Sequence, residues 1–208
     1  MFKAFSLYSI PSLVQSFFSF IVIIPITTYF LEPYDFGIFA ILLLGSSFVL
    51  PLATSGCAWV LGSNYYKNSN DENKKLIFNS LVFDFLLMTF WCLFFYHISE
   101  ILLNFILEFN KEYHLYFSLI LLSIWSGVFW PLISTLLVMQ EKPAIHISIE
   151  VFKWIINVTT VITCLTIFKV GLLSLILGPL VSNMVFLVIE FSILISQSKI
   201  VIEKKFLK

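Results

Sequence analysis

The chain has 208 residues, 60% of them hydrophobic and only 12% charged, with a mean hydropathy of +1.00. Soluble domains carry roughly a quarter charged residues, so this composition excludes an ordinary soluble enzyme or binding module and predicts an integral membrane protein. Twelve lysines, the whole of the basic complement, balance twelve acidic residues, and a net charge of zero gives no support to a nucleic-acid role.

Crossing the hydrocarbon core takes roughly 20 apolar residues, and six segments qualify. They predict an all-α, polytopic transmembrane bundle of six helices in one domain. The first span covers about 7–31. Within it Ser9, Ser12, Ser16 and Ser19 fall at i, i+3, i+7 and i+10 with Gln15 beside them, a polar stripe expected to face protein or a wet cavity. The span is broken by Pro25 and has no A-x-A-like cleavage site, so it reads as a retained helix rather than a secretory signal. The second covers about 36–61, and a polar link, Gly62 to Lys75, leads into the third at about 76–97. Ser99 to Tyr113 reads as a short amphipathic piece lying in the interface. The fourth span (about 115–139) is joined by the tight turn Gln140-Glu141-Lys142-Pro143 to the fifth (about 147–168). The sixth covers about 172–196, and residues 197–208 form a basic tail.

Lysine placement sets the orientation. With a cytoplasmic N-terminus, Lys3, Lys67, Lys74, Lys75, Lys142, Lys199, Lys204, Lys205 and Lys208 lie inside, Lys111 and Lys169 outside, and Lys153 within a span. Both termini are therefore expected in the cytoplasm. The cysteines Cys57, Cys92 and Cys164 are isolated in apolar runs and form no metal or redox pair. His97 and His114 are expected at external helix ends and His146 at an internal one, all three interfacial. No zinc-type cluster, glycine-rich phosphate loop or nucleophile elbow occurs, so neither an enzyme nor a cofactor is expected.

Charged residues inside spans are costly and point to function. Asp84, Glu150, Lys153 and Glu190 all fall in the inner half of the membrane on this topology. Asp84 lies roughly eight residues, about 12 Å, from the cytoplasmic end of its span, and Glu190 roughly six residues, about 9 Å, from the end of the sixth. Glu150 and Lys153, at i and i+3, are placed to pair on one helix face, which Asn157 continues a turn deeper. The stems of Lys153 and Glu190 are long enough to snorkel to the headgroups. Asp84 reads either as a buried hydrogen-bonded residue or as a carboxylate in a hydrated cavity, able to carry a proton. Gly45, Gly56, Gly127 and Gly178 allow close helix contacts, and Pro11, Pro25, Pro51, Pro131 and Pro179 kink spans or free carbonyls.

Tyr8-Ser9-Ile10-Pro11-Ser12 followed by Leu31-Glu32-Pro33-Tyr34-Asp35-Phe36-Gly37-Ile38-Phe39-Ala40 resembles the opening of bacterial polysaccharide (O-antigen and capsule repeat-unit) flippases. Tyr65-Tyr66-Lys67 with Asp71 to Leu76 looks like that family's second-to-third helix loop, and Leu137 to Lys142 like its fourth-to-fifth turn. The broader superfamily includes multidrug exporters. The resemblance implies translocation of undecaprenyl-pyrophosphate-linked oligosaccharide across the inner membrane between two six-helix lobes, parallel repeats about the membrane normal. This chain matches one lobe, the N-terminal half, as a truncated or split transporter or one half of a homodimer.

On that reading Lys153 would meet the pyrophosphate, and Asp84, Glu150 and Glu190 would couple a cation. Asp84 and Glu190 are also placed to meet sugar hydroxyls. Ser12, Gln15, Ser16, Ser19 and Asn157 would line the sugar path. Two alternatives stand beside it: a cation-coupled multidrug exporter lobe, and a non-transporting membrane scaffold for polysaccharide assembly enzymes.

Overall fold

Helix starts in this chain are set by short local signals. In the computed structural model, which describes residues 13–53, 56–106 and 111–198, α1 (Leu13–Phe30) ends at Leu31, whose backbone is extended. The Asp35 carboxylate then accepts the backbone N–H of Glu32 at 3.2 Å, and Pro33 occupies the first turn, where its missing N–H is no loss. These residues launch α2 (Pro33–Ser47). The Leu31–Gly37 motif thus acts as a helix stop followed by a helix start. Within α1 a wide π-type turn at Ser19–Ile23 precedes Pro25, which cannot donate to the helical ladder.

The predicted second span is broken. After α2 come α3 (Val49–Ala53) and α4 (Cys57–Asn64), and Gly56 enters α4 in the left-handed region at φ +77°. The third helix is longer than its hydropathy indicated. Ser69 and Glu72 cap one another, Ser69 N–H to Glu72 Oε2 at 2.8 Å, and α5 (Asn70–Ile106) runs 37 residues. At 1.5 Å per residue that is about 55 Å. The separate interfacial piece expected at Ser99–Tyr113 is therefore corrected: Ser99 to Ile106 prolong α5. No Gly or Pro interrupts that stretch, and the local ladder simply continues.

The fourth span divides into α6 (Lys111–Ser126) and α7 (Trp130–Met139), with turn geometry at Gly127 to Phe129. Next come α8 (Pro143–Thr163), extended by a π-type turn at Cys164–Phe168, and α9 (Leu173–Ser196). Six helical stretches are long and apolar enough to cross a membrane. The protein is an all-α, multi-pass membrane protein, with no strand among the described residues.

α9 is the hub of the bundle and packs on α8 and α6. Its contact with α8 is close because residue 178 is glycine: an added Cβ would collide with Asn157 and Val161. The core centres on α7, where Leu132, Ile133, Leu136 and Leu137 are essentially inaccessible, and extends through Leu42, Leu61, Met88, Ile176 and Leu194. α1 lies at the periphery. Only 6% of its apolar window is buried, against 50% for the span containing α6 and α7.

Candidate functional site

α8 carries its polar residues on one stripe. His146, Glu150, Lys153 and Asn157 recur at i, i+4, i+7 and i+11, which a helix aligns on a single face, and that stripe meets α1, α7 and α9. Lys153 Nζ donates to Glu190 Oε1 at 2.8 Å and sits 5.1 Å from the centroid of the Trp130 ring. Glu190 is 0% exposed. The expected Glu150–Lys153 pair is thus replaced by a bond between α8 and α9. An inaccessible carboxylate needs a cation more than one at the bundle edge does, and Glu150 keeps 25% of its side chain exposed. Neither Lys153 nor Glu190 snorkels.

His146 is buried within the bundle, in the first turn of α8. Its Nε2 lies 2.9 Å from Ser134 Oγ on α7, its Nδ1 lies 3.8 Å from Glu150 Oε2, and its ring is 5.3 Å from that of Trp130. From α1, Gln15 Nε2 donates to the Glu150 carbonyl at 3.3 Å, and Phe18 packs edge-on against Trp154 at 5.7 Å. From α9, Asn183 Nδ2 donates to the Ser123 carbonyl at 3.0 Å, seated beside Gly127 where the fourth span breaks.

Beside them opens a cavity of about 240 Å³ with polar groups in its wall. Gln15, Glu150, Lys153, Asn157, Ser182 and Asn183 supply its polar wall, and Trp130, Trp154 and Pro179 the rest. No family model matches the chain, and no curated protein or solved structure matches it either.

The residues singled out in the sequence divide into groups. Gln15, Glu150, Lys153 and Asn157 line the cavity, and Glu190 sits behind Lys153. Ser16 is exposed and Ser19 half-buried, and neither lines it; Ser9 and Ser12 lie outside the described residues, as does the tail from residue 199. Of the stripe, only Gln15 reaches this cavity among the described residues. A helical serine can satisfy its hydroxyl on its own backbone, as Ser148 does on the Ala144 carbonyl and Ser192 on that of Val188.

Asp84 stands apart. It is 3% exposed on α5, hydrogen-bonded to the Cys57 thiol of α4, and Oδ1 has no hydrogen-bond partner among the described residues. The four inner charges form two sites rather than one. Cys57, Cys92 and Cys164 form no disulfide, and among the described residues no three His, Cys, Asp or Glu groups converge on a metal position. A larger cavity of about 460 Å³ between α5, α6 and α9 is lined by Phe85, Trp125, Phe129, Phe191 and aliphatic neighbours. It offers apolar contact only. His146, Ser134, Ser182, Asn183 and the tryptophans were not picked out as site residues from sequence, although the α8 stripe extends back to His146 by one step of four.

Proposed function

We propose that this protein is one lobe of a transporter that moves lipid-linked oligosaccharide repeat units across the bacterial inner membrane for O-antigen or capsular polysaccharide synthesis. The observation that carries the reading is the polar cavity on membrane-spanning helices. Amide, hydroxyl and carboxylate groups beside aromatic faces suit sugar hydroxyls and ring C–H surfaces, and few precisely oriented polar groups in an apolar frame are typical of ligand sites. The glycan-lipid class comes from the resemblance carried by Leu31–Gly37 and the two loop motifs.

Lys153 is committed to Glu190, so we assign it to holding α8 on α9 rather than to the pyrophosphate. Both termini face the cytoplasm in this reading, and a second lobe or a second copy supplies the opposite wall. Loss of the gene is expected to accumulate lipid-linked repeat units on the cytoplasmic face. An unchanged pool of those units would contradict the proposal.

A second reading, a cation-coupled exporter lobe, is favoured by one observation: the buried Asp84, separate from the polar cavity and with an oxygen lacking a hydrogen-bond partner among the described residues. It predicts altered dye or drug sensitivity instead.

A further inference from the structure

Two of the six spans are interrupted, and both interruptions lie against one turn of α5. Phe85 stacks on Phe129, in the break between α6 and α7, at 6.2 Å. Its neighbour Asp84 is hydrogen-bonded to Cys57, the first residue of α4, directly after the left-handed Gly56. Broken helices are where transporters handle ions and substrates. Asp84 is 3% exposed, and the elements packed on α5 bring it little. α3 and α4 offer one titratable group, the Cys57 thiol, a weak donor. From α9 comes Glu190, which Lys153 already holds. The titratable residues of α6, namely Lys111, Glu112, Tyr113, His114 and Tyr116, occupy its far, first turns. On α5 itself the nearest are Cys92 and Lys75, about 12–14 Å along the helix.

An ionised carboxylate in this setting would be nearly bare. It would have one weak donor and no cation among the described residues, and Oδ1 has no hydrogen-bond partner there. Glu190, equally buried, shows the alternative, with an ammonium at 2.8 Å. A buried charge without such a partner is neutralised rather than tolerated. As a neutral acid, Asp84 can donate its hydroxyl to the Cys57 sulfur, and only a carbonyl oxygen is left over, a far smaller cost. We infer that Asp84 is a proton-binding site, which carries a proton in this conformation and gives it up to water entering at the Gly56 break. The O–H bond of the acid breaks, its electron pair stays on the carboxylate, and the water takes the proton. The site stands whatever substrate the polar cavity carries, and on the exporter reading it makes the coupling cation a proton.

Infrared spectroscopy reads this proton directly. Full-length protein in lipid nanodiscs at neutral pH is expected to show the carbonyl band of a protonated carboxylic acid. The chain has three aspartates, and Asp35 and Asp71 sit in the first turns of α2 and α5, where the helix dipole suits a carboxylate. Isotopic labelling of the aspartate carboxyl carbon in the unaltered protein is therefore expected to shift the band downward. Asp84→Asn is expected to remove it, and heavy water to lower it as the proton exchanges. No acid band in the unaltered protein, a band indifferent to the aspartate label, or one that persists in Asp84→Asn overturns the assignment. A band unmoved by heavy water overturns release to water. The labelled, unaltered protein decides the question even where Asp84→Asn fails to fold. No sugar or lipid-linked substrate enters the measurement, so its failure leaves the oligosaccharide reading standing.

Discussion

Glu190 sits fully buried on α9, and Lys153 is what makes that position tolerable. The ammonium reaches it at 2.8 Å and itself lies over the Trp130 ring, 5.1 Å from the centroid. Removing one partner of such a pair strands the other charge, at a cost of about 3–5 kcal/mol, whereas replacing both with apolar groups is often nearly neutral. Lys153→Met is therefore expected to destabilise the protein strongly, and Lys153→Met with Glu190→Leu to recover most of the loss, read by unfolding in detergent micelles. A double variant no more stable than the single one would contradict this role. The pairing was not legible in the sequence. Glu150, three residues away, satisfied every local rule, and the true partner is 37 residues distant. Only the rotation of α8 against α9 decides between them. Gln15 was legible, because a long amide in an apolar helix has few inexpensive places to be.

Among the elements, α8 and α9 depend on a glycine. Gly178→Val would drive a branched side chain into Asn157 and Val161, and overpacking of this kind costs about 1–3 kcal/mol. Because Asn157 lines the cavity, the same change is expected to weaken ligand binding more than its loss of stability explains. Thermal unfolding and titration of one sample would separate the two effects, and a variant with unaltered stability would show that the helices do not meet there. Gly56 works through conformation: at φ +77° a Cβ is strained though no described residue comes within 4 Å of it, so Gly56→Ala is expected to cost about 1–2 kcal/mol in the same assay. An unchanged unfolding midpoint would place that backbone elsewhere. The element count was readable from hydropathy because crossing length is a property of composition. The breaks at Gly56 and Gly127 were less visible, since an apolar run scores alike whether continuous or interrupted. The extension of α5 past Ser99 was hidden for the opposite reason: polar residues lowered the hydropathy while nothing stopped the helix.

For the whole molecule, the lysine asymmetry makes a prediction independent of the site. A reporter active only outside the cytoplasm is expected to be silent when inserted at Gln140–Lys142 and active at Lys169–Gly171, and the reverse pattern would contradict the topology. The central claim is that the polar cavity of α1, α8 and α9 is a substrate path. The most direct measurement is translocation of lipid-linked oligosaccharide into inverted vesicles from the membrane in which the protein normally resides, where any second lobe is also present. Gln15→Leu with Glu150→Gln removes one amide and one negative charge from the cavity wall while leaving the Lys153–Glu190 pair intact. The expected result is normal insertion of the variant with translocation reduced about tenfold or more, the scale of one lost charged contact. Translocation at the unaltered rate would contradict the claim.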